Sequence, residues 1–405
     1  MTILYLTFYF EPDLCAGSFR NTPLVAELAD QLSADDVIHV LTTQPNRYRS
    51  FQQTAAGHEQ RTGRDGCRIE IDRVTVPVHA SGLLDQIRSF VTYYRAAHRL
   101  TRRRKYDCVV ASSSRLFTAF LGARFARRQR LPLFLDIRDL FRETMLELFQ
   151  NRPFVRLGLR PVLWAVERYT FGYARHINLV SEGFRPYFAR FQRATYSFFT
   201  NGIDDAFLHW PRSLSAVRAP KVILYAGNIG EGQGLHKIIP QAARQLGEGY
   251  RFVVIGDGGA RAKLAAAIRA EGVQNVDLRL PVGRNDLIAE YQNADYLFVH
   301  LNDLAAFRRV LPSKLFEYGA TDKPIVAGVA GYAAQFVREH LDNRILFDPG
   351  DVVNLVSQLQ QTPYRTGARS EFVARFGRKT ITEQLARQIL RTANQPKSTT
   401  EPALA

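Results

Sequence analysis

Four places along the chain set glycine, hydroxyl or charged side chains where a predicted strand gives way to a helix. The first is Ala16-Gly17-Ser18, ahead of a helix predicted over residues 22–32. Glycine lets a backbone approach a ligand closely, and the first N–H groups of a helix can bind phosphate. The segment therefore predicts a phosphate contact, and a tight turn that binds nothing is the alternative.

The second place is a glycine-rich loop over residues 226–234, with the sequence AGNIGEGQG. Four of its nine residues are glycine, and this flexible stretch of backbone between a strand and a helix suits a diphosphate group. The spacing matches neither the P-loop nor the dinucleotide-binding G-x-G-x-x-G motif, so a nicotinamide-dependent enzyme is disfavoured. A second glycine turn, Gly256-Asp257-Gly258-Gly259, follows the strand predicted over residues 251–255.

The third place is LPSKLFEYG over residues 311–319. Proline and serine fit the start of a helix, whose N–H groups near residues 314–316 are then free to bind an anion. Lys314 adds a positive charge at that end, and Glu317 lies one turn further on, where its carboxylate can reach a pair of sugar or ribose hydroxyls. The alternative is a capped helix on which both side chains are only solvated.

The fourth place is FLDIRD over residues 134–139, at the end of a predicted strand in the first half of the chain. Charged residues directly after a buried strand lie at the sheet edge and not in the core. Two carboxylates around an arginine suit hydrogen bonding to an acceptor substrate. A structural ion pair explains the same residues equally well.

These segments alternate with apolar strands and helices in a pattern typical of α/β domains. We predict two doubly wound parallel sheets in a chain of 405 residues, too long for one ordinary core. The predicted domains cover residues 1–205 and 206–375, and residues 376–392 form a helix that returns to the first domain. Residues 393–405 are polar and are predicted to be disordered. Predicted strands cover residues 2–8, 37–42, 67–76, 107–111, 132–137, 176–180, 221–226, 251–255, 276–280, 295–300 and 324–327, and residues 45–66 are predicted to be irregular.

The net charge of +16 calls for an anionic partner. Its densest stretch, residues 88–105, predicts a basic amphipathic helix that can lie on a lipid headgroup layer, and a packed surface helix with a solvated basic end is the alternative. No nucleic-acid-binding motif accompanies the charge. Three distant cysteines and the lack of an apolar run of about 20 residues predict a cytoplasmic protein without disulfides, soluble or resting on a membrane surface.

The sequence resembles the retaining glycosyltransferases of family four, which have the GT-B fold of two Rossmann-like domains facing across a cleft. It is similar in particular to the bacterial subgroup of O-antigen and capsule clusters that transfers fucosamine or N-acetylhexosamines. Six segments in the family's order, spread over nearly all of residues 3–330, carry this resemblance. They are YFEPDLCAGSFR, LDIRDLF, LVSEGF, TNGID, YAGNIGEGQGL and LPSKLFEYGATDKPIVAG.

The resemblance implies that the second domain binds a nucleotide sugar. Glu317 would hold the ribose, Lys314 with the N–H groups beside it would clamp the diphosphate, and Val282 would contact the base. The implied donor-binding residues are Gly17, Asn228, Gln233, Gly256, Val282, Arg308, Ser313, Lys314, Leu315 and Glu317. The implied acceptor-binding residues are Ser18, Arg20, Arg138 and Asp139, and the implied catalytic residues are Asp139, Lys314 and Glu317. Family members usually need no metal or other cofactor, because basic side chains and helix dipoles neutralise the departing diphosphate.

The chain departs from the family pattern at four positions. Arg309 stands where the family has a glutamate eight residues before the ribose-binding one. Asn228 and Gln233 replace an arginine and a lysine of the glycine-rich loop, and Arg138 replaces a histidine. We expect Arg308, Arg309 and Lys314 to supply the positive charge that the loop lacks.

The implied reaction moves a sugar, an N-acetylated amino sugar, from a UDP-sugar donor to a saccharide carried on a polyprenyl diphosphate, with retention of configuration. Helix 88–105 would hold the enzyme on the inner leaflet of the cell membrane, and nucleic acid is not an expected partner. Two alternatives stay open from the sequence. One is a UDP-sugar epimerase of the same architecture, and the other is a non-catalytic protein that binds nucleotide sugars.

Overall fold

The structure is a computed structural model of the chain that describes residues 1–13, 15–46, 54–77, 83–113, 116–149, 152–208 and 219–395. The chain divides into two compact units. The first unit runs to Thr200 and takes in the chain again from Thr380, and the second runs from Asn201 to Lys379. Most of the tail predicted to be disordered, from residue 396 onward, lies outside the described residues.

The first unit is built on an eight-stranded sheet in the order β3-β4-β2-β1-β5-β6-β7-β8. Every neighbouring pair is parallel except β3 with β4. The central strands are buried along almost their whole length, as expected for parallel strands covered by helices on both faces. The strands are β1 (Thr2–Leu6), β2 (Val37–Thr43), β3 (His58–Thr62), β4 (Arg68–Val74), β5 (Cys108–Ser113), β6 (Leu133–Ile137), β7 (His176–Leu179) and β8 (Thr195–Ser197).

The expectation that residues 45–66 are irregular is wrong for β3, which pairs antiparallel with β4. Its sequence, HEQRT, is polar throughout and has no apolar residue that would mark a strand. Exposed and half-buried residues alternate along it, because it lies at the edge of the sheet. Strand pairing with β4 determines its structure, and composition alone does not reveal it.

Six helices precede the second unit: α1 (Ala16–Asp30), α2 (Leu83–Thr101), α3 (Leu116–Gln129), α4 (Phe141–Leu148), α5 (Pro153–Phe171) and α6 (Arg185–Phe188). The basic helix predicted over residues 88–105 corresponds to α2, which ends at Thr101. The last four basic residues of that prediction, Arg102 to Lys105, therefore lie beyond the end of the helix and are exposed.

The second unit has a six-stranded parallel sheet in the order β11-β10-β9-β12-β13-β14. Successive residues of β9 belong to different hydrophobic clusters: Ile223 and Tyr225 to one, Leu224 and Ala226 to the other. Because side chains alternate between the faces of a strand, both faces of this sheet are buried. The strands are β9 (Lys221–Ala226), β10 (Tyr250–Ile255), β11 (Val276–Arg279), β12 (Tyr296–His300), β13 (Ile325–Gly328) and β14 (Arg344–Phe347), and the helices are α7 (Leu235–Leu246), α8 (Arg261–Glu271), α9 (Arg284–Asn293), α10 (Lys314–Gly319), α11 (Gly331–His340), α12 (Val352–Gln361) and α13 (Ser370–Phe376).

The last helix, α14 (Arg378–Asn394), starts in the second unit and continues in the first. Leu385, Ala386 and Ile389 are buried in the core cluster that also contains Ile3 and Tyr5 of β1. The chain thus ends by covering the sheet with which it begins.

Strand order changes direction beside β1 and beside β9. β1 lies between β2 and β5, and β9 lies between β10 and β12. In open α/β sheets, ligands bind beyond the carboxyl ends of the strands at such switch points. The segment that contains Gly17 follows β1, and the glycine-rich loop follows β9, so both predicted sites start at a switch point.

None of the helices in the described part of the chain is long and apolar enough to cross a membrane.

Candidate functional site

The turns at the carboxyl ends of β9 and β10, together with the start of α10, form what we call the glycine edge. Gly227 has a φ of +141°, a backbone conformation that residues other than glycine rarely adopt. A Cβ added there would lie 2.8 Å from the Cε of Lys314 and would overlap its Nζ. Lys314 therefore crosses directly over the backbone of the glycine-rich loop, which places a positive charge at the switch point of the sheet.

The loop is held against the neighbouring turn by backbone contacts. The N–H of Ile229 donates to the carbonyl of Asp257 at 2.8 Å, and the N–H of Gly227 donates to the carbonyl of Ile255 at 2.8 Å. Gly256 has a φ of +154°, and a Cβ added there would overlap the carbonyl oxygen of Gly227. Glycine is needed at Gly256 because the two backbone segments touch, and at Gly227 because of its positive φ and the side chain of Lys314 above it.

Asn228 and Gln233 are bound to each other and not held apart for a ligand. The Nδ2 of Asn228 donates to the Oε1 of Gln233 at 3.0 Å, and the N–H of Gly230 donates to the same oxygen at 3.0 Å. The two residues that replace the family's arginine and lysine thus shape the loop from within. Their assignment to donor binding stays a prediction.

A buried histidine, His300, holds the glycine-rich loop through a hydrogen bond to its backbone. The Nε2 of His300 accepts a hydrogen bond from the N–H of Gly350 at 3.0 Å, so its Nδ1 carries the proton and donates to the carbonyl of Gln233 at 2.6 Å. Burial lowers the pKa of His300 to about 4. The imidazole is therefore neutral at physiological pH and keeps this tautomer.

The start of α10 differs from the expectation that the N–H groups near residues 314–316 are free. Leu315 donates to the carbonyl of Pro312 and Phe316 to the carbonyl of Ser313, both at 3.1 Å. The hydroxyl of Ser313 makes no capping hydrogen bond, and Leu315 is buried. The N–H groups of Leu315 and Phe316 are thus hydrogen-bonded within a tight first turn. The positively charged group at this end of the helix is the ammonium of Lys314.

Glu317 is oriented by two residues that sequence reasoning missed, Tyr291 and Arg284. The hydroxyl of Tyr291 donates to Oε2 of Glu317 at 2.9 Å, and Nη1 of Arg284 lies 3.6 Å from Oε1. Arg284 also pairs with Asp204 at 2.8 Å, and Asp204 pairs with Arg378 at 2.7 Å. The sequence contains one signal for Tyr291, which follows Leu287 by one turn on the apolar side of an otherwise polar helix. This spacing predicts that the tyrosine is buried, and a buried tyrosine hydroxyl needs a hydrogen-bond acceptor.

Two other predicted donor-binding residues lie in different surroundings. The guanidinium of Arg308 is exposed and makes two hydrogen bonds to Asp303, at 2.6 and 2.8 Å. Val282 is half-buried and packs against the hydrophobic cluster of the second unit. Neither contact joins these residues to Lys314 or Glu317.

The carboxyl ends of β1 and β6 in the first unit form what we call the arginine edge, made of Gly17, Arg20, Asp136, Arg138 and Asp139. Arg20 is buried and bonds to both carboxylate oxygens of Asp136, at 2.8 and 2.9 Å. It also donates to the carbonyls of Phe199 and Thr200. This network occupies the guanidinium and gives Arg20 a structural role, although it was predicted to bind the acceptor.

Asp136 is ionised within this network. Burial alone would raise its pKa, but Arg20, Asn178 and Arg138 together hold the pKa below its ordinary value. The side chain of Asn178 donates to Oδ1 of Asp136 at 2.8 Å. One of the two carboxylates of the FLDIRD segment is therefore part of an ion pair, the structural alternative raised by the sequence.

Arg138 differs from Arg20 although both lie at the same edge. Its Nε and Nη1 are buried and have no hydrogen-bond partner in the described part of the chain. Burial and the nearby charge of Arg20 lower the pKa of Arg138. A Cβ added at Gly17 would lie 3.1 Å from Nη1 of Arg138, so Gly17 leaves room for this guanidinium beside the N-terminus of α1. Such an arrangement can bind an anion.

The remaining predicted residues of this edge are divided between core and surface. Asp139 is exposed directly after Arg138, whereas Ser18 is buried in the first turn of α1.

The described residues contain no group of three or more histidine, cysteine, aspartate or glutamate side chains placed to hold a metal ion. The three cysteines are free thiols.

Comparison with known proteins finds a similar family for each half of the chain. Residues 22–198 match the family described as glycosyl transferase 4-like domain, and residues 209–363 match the family described as glycosyl transferases group 1. A relative in Escherichia coli (strain K12) is WcaI, named as a colanic acid biosynthesis glycosyl transferase. It is 29% identical over 143 residues, which are 35% of this chain and 35% of that protein. The chain thus matches just over a third of that relative's length.

Solved structures share the fold over almost the whole chain. Anabaena Alr3699/HepE in complex with UDP-glucose has a TM-score of 0.63 at 16% identity, covering 96% of this chain and 100% of that chain. The UDP-forming trehalose-phosphate synthase of Burkholderia vietnamiensis has a TM-score of 0.65 at 10% identity, covering 97% and 99%. The predicted α/β architecture of two parallel-sheet domains is confirmed. The chain shares the GT-B fold, and its two units are similar to a glycosyl transferase 4-like domain and to glycosyl transferases group 1.

Proposed function

We propose that the protein transfers an N-acetylated amino sugar from a UDP-sugar to a saccharide carried on a polyprenyl diphosphate, with retention of configuration, in surface polysaccharide synthesis. The observation that carries this proposal is the glycine edge, where Lys314 lies over Gly227 while Tyr291 and Arg284 orient Glu317. The UDP and UDP-glucose found on Alr3699/HepE support a nucleotide-sugar donor.

In this proposal the second unit binds the donor. The ammonium of Lys314 and the backbone of the glycine-rich loop contact the diphosphate, whose negative charge grows as the sugar leaves. Glu317, held on one oxygen by Tyr291, accepts hydrogen bonds from the ribose hydroxyls through its remaining lone pairs. Val282 contacts the base, and no metal is required because Lys314 and the loop dipoles stabilise the leaving group.

The first unit binds the acceptor in the same proposal. Nε and Nη1 of Arg138, which have no hydrogen-bond partner among the described residues, attract an anionic group of the acceptor, for which its diphosphate is suited. Asp139, exposed beside it, positions the attacking hydroxyl. The departing diphosphate accepts the proton of that hydroxyl on the same face of the sugar, which retains the configuration.

A lipid-linked acceptor would require the enzyme to work at the inner face of the cell membrane, in the cytoplasm. The exposed arginines of α2, among them Arg95 and Arg99, and the basic segment after it would face anionic headgroups. This is the role predicted from the sequence for residues 88–105. It requires only that the positive charge of the segment faces the lipid headgroups, and the segment does not need to insert into the bilayer.

The test is transfer from a panel of UDP-sugars to a synthetic polyprenyl-diphosphate saccharide, followed by mass spectrometry and by NMR of the new anomeric proton. Wild-type protein should form a product with the donor's anomeric configuration, and Glu317→Ala should lose at least about 100-fold of the activity. Arg338→Ala, an exposed arginine of α11, serves as the control and should keep full activity. Release of a 2-epimer without acceptor would identify an epimerase, and binding without turnover would identify a nucleotide-sugar-binding protein.

A further inference from the structure

Helix α5 carries apolar side chains on its outer surface. Phe154 is 89% exposed, Leu157 71%, Val162 57% and Trp164 45%. Burial of such side chains is normally favourable, and a contiguous apolar patch on a surface marks an interaction site more often than a single exposed residue does. Four large apolar residues within eleven positions of one helix form such a patch.

The C-terminal half of α5 fixes the direction in which this patch points. Leu163, Glu167, Thr170 and Phe171 are buried, and Glu167 accepts hydrogen bonds from Tyr187 and from Arg190. Residues spaced three or four apart share one side of a helix. Phe154, Leu157 and Pro161 follow that spacing on the side opposite to the buried residues, so the outward side is apolar where a surface helix is normally polar.

The exposed charged residues of α5 are all arginines. Arg152 at the N-cap, Arg156 and Arg160 are exposed and follow a four-residue spacing along the other side of the helix, and the first acidic residue of α5 is the buried Glu167. The long side chains of arginine can reach phosphate groups bidentately while their stems lie along apolar surface. An apolar side opposed by a row of arginines is typical of a helix that lies at the boundary between acyl chains and anionic headgroups.

The same layer of helices adds further positive charge. Helices α2, α3 and α5 lie side by side: Phe90 packs on Phe117 at 4.9 Å, and Phe120 packs on Tyr169 at 5.2 Å. Arg127 of α3 donates to the carbonyl of Tyr169 at 2.9 Å. Each of the three helices contributes three arginines, whereas the acidic residues of the whole layer are Asp85 and Glu167.

We propose that α5 is a membrane-docking helix that inserts Phe154, Leu157, Val162 and Trp164 into the headgroup layer of an anionic bilayer. Tryptophan is suited to this depth, since its ring is apolar and its N–H stays near water. A second copy of this chain is a poorer occupant, because the exposed Arg168 lies over the ring of Trp164 and two identical faces would bring these arginines together. The inference does not depend on the proposed sugar transfer.

This assignment separates the roles of α5 and α2. Tyr93 and Ala97 of α2 are fully buried and Phe90 packs on α3, and its exposed large apolar residues, Ile87, Val91 and Leu100, are 43%, 37% and 40% exposed, against 89% for Phe154 of α5. The apolar side of α2 is thus largely used within the fold. It supplies charge at the surface, whereas α5 supplies the apolar contact.

The first test is flotation of the full chain with vesicles of phosphatidylglycerol and phosphatidylethanolamine, and with vesicles of phosphatidylcholine alone, in the absence of nucleotide sugar. Wild type should float with the anionic vesicles, and F154S/L157S should lose at least tenfold in binding. V353S, at a valine of the second unit that is 71% exposed, and V91S/L100S should bind within twofold of wild type. Equal binding of F154S/L157S and wild type, or loss of binding in V91S/L100S alone, would overturn the proposal.

A second measurement reports insertion directly and checks that the protein is folded. The chain has two tryptophans, so W210F leaves Trp164 as the one fluorophore of that type. Its emission should move to shorter wavelength on addition of the anionic vesicles, and circular dichroism should be unchanged. An unshifted emission would contradict insertion. A dimer of the wild type that F154S/L157S loses in sedimentation would assign the patch to self-association and overturn the proposal.

Discussion

The glycine edge and the arginine edge have the same position in their sheets but a different chemistry. Each starts at a switch point, after β9 in one unit and after β1 in the other. At the glycine edge, the backbone of Gly227 lies against Gly256 on one side and against the ammonium of Lys314 on another. At the arginine edge, side chains supply the contacts, and burial together with the positive charge of Arg20 lowers the pKa of Arg138.

The difference shows how the two units can divide the work of binding. A glycine-rich backbone leaves space for a group as large as a diphosphate and holds it through dipoles and one charge. Buried guanidinium nitrogens such as Nε and Nη1 of Arg138, which have no hydrogen-bond partner in the described residues, cost stability unless a ligand satisfies them. The arginine edge therefore suits an anionic group that is bound by a pre-positioned side chain.

The largest expected effect separates the two arginines of the arginine edge. Arg20→Gln leaves Asp136 buried without its ion pair and should lower the free energy of unfolding by about 3–5 kcal/mol. Arg138→Gln removes unpartnered donors and should leave this free energy unchanged or higher, while sugar transfer falls. Urea unfolding followed by circular dichroism measures both. Equal destabilisation by the two substitutions would mean that Arg138, like Arg20, stabilises the fold and is not held ready for a ligand.

A pH dependence of stability should follow from one buried histidine in each unit, His176 in the first and His300 in the second. Burial lowers the pKa of His176 and of His300 to about 4, whereas both side chains bind a proton below about pH 6.5 in the unfolded chain. The unfolded state thus binds more protons between pH 4 and pH 6.5, and stability falls as the pH falls through that window, by about 3 kcal/mol for each histidine.

Hydrogen exchange resolves the two histidines, because it reports protection separately for β7 and β12. His300→Gln should reduce the pH dependence of protection in β12 and leave that in β7 as in the wild type. An equal pH dependence of β12 in the variant and the wild type would show that His300 is not the titrating group.

Gly227→Ala tests the close approach at the glycine edge. A side chain at φ +141° is strained, and the new Cβ would displace the ammonium of Lys314. The strain should cost about 1–3 kcal/mol of stability, and affinity for UDP should fall about tenfold or more. Gly249→Ala is the matched control, since a Cβ there meets nothing within 4 Å. Calorimetric titration with UDP should show wild-type affinity for the control, and a similar loss in both variants would refute the contact argument.

The smallest expected effect concerns the orientation of Glu317. Tyr291→Phe removes one hydrogen bond to its carboxylate, which is worth about 1 kcal/mol, or about fivefold in affinity for UDP. Tyr250→Phe is the control, because Tyr250 begins β10 at the end of the second unit's sheet that lies away from the glycine edge. It also loses one hydrogen bond, to the carbonyl of Leu359, and should bind UDP normally. Affinity that is unchanged in Tyr291→Phe would show that Glu317 needs no positioning by this hydroxyl.

The strands that build both edges could be predicted from local sequence, but their side-chain partners could not. The apolar run of β9 gives its bounds directly, since KVILYA covers residues 221–226. The pairing of Arg20 with Asp136 joins residues 116 positions apart, and no local pattern shows that Arg20 and not Arg138 makes these two hydrogen bonds. The polar edge strand β3 and the hydrogen bond from Tyr291 to Glu317 likewise depend on tertiary pairing, which a single sequence does not display.

The most direct test of the account is calorimetric titration of UDP, without added metal, into the wild type and Glu317→Ala. We predict binding to the wild type and an affinity at least about tenfold lower in the variant, because a charged hydrogen-bond acceptor for the ribose is lost. Arg338→Ala should match the wild type. Equal affinity in Glu317→Ala and the wild type, or no heat of binding in either, would contradict the assignment of the glycine edge as the nucleotide-sugar site.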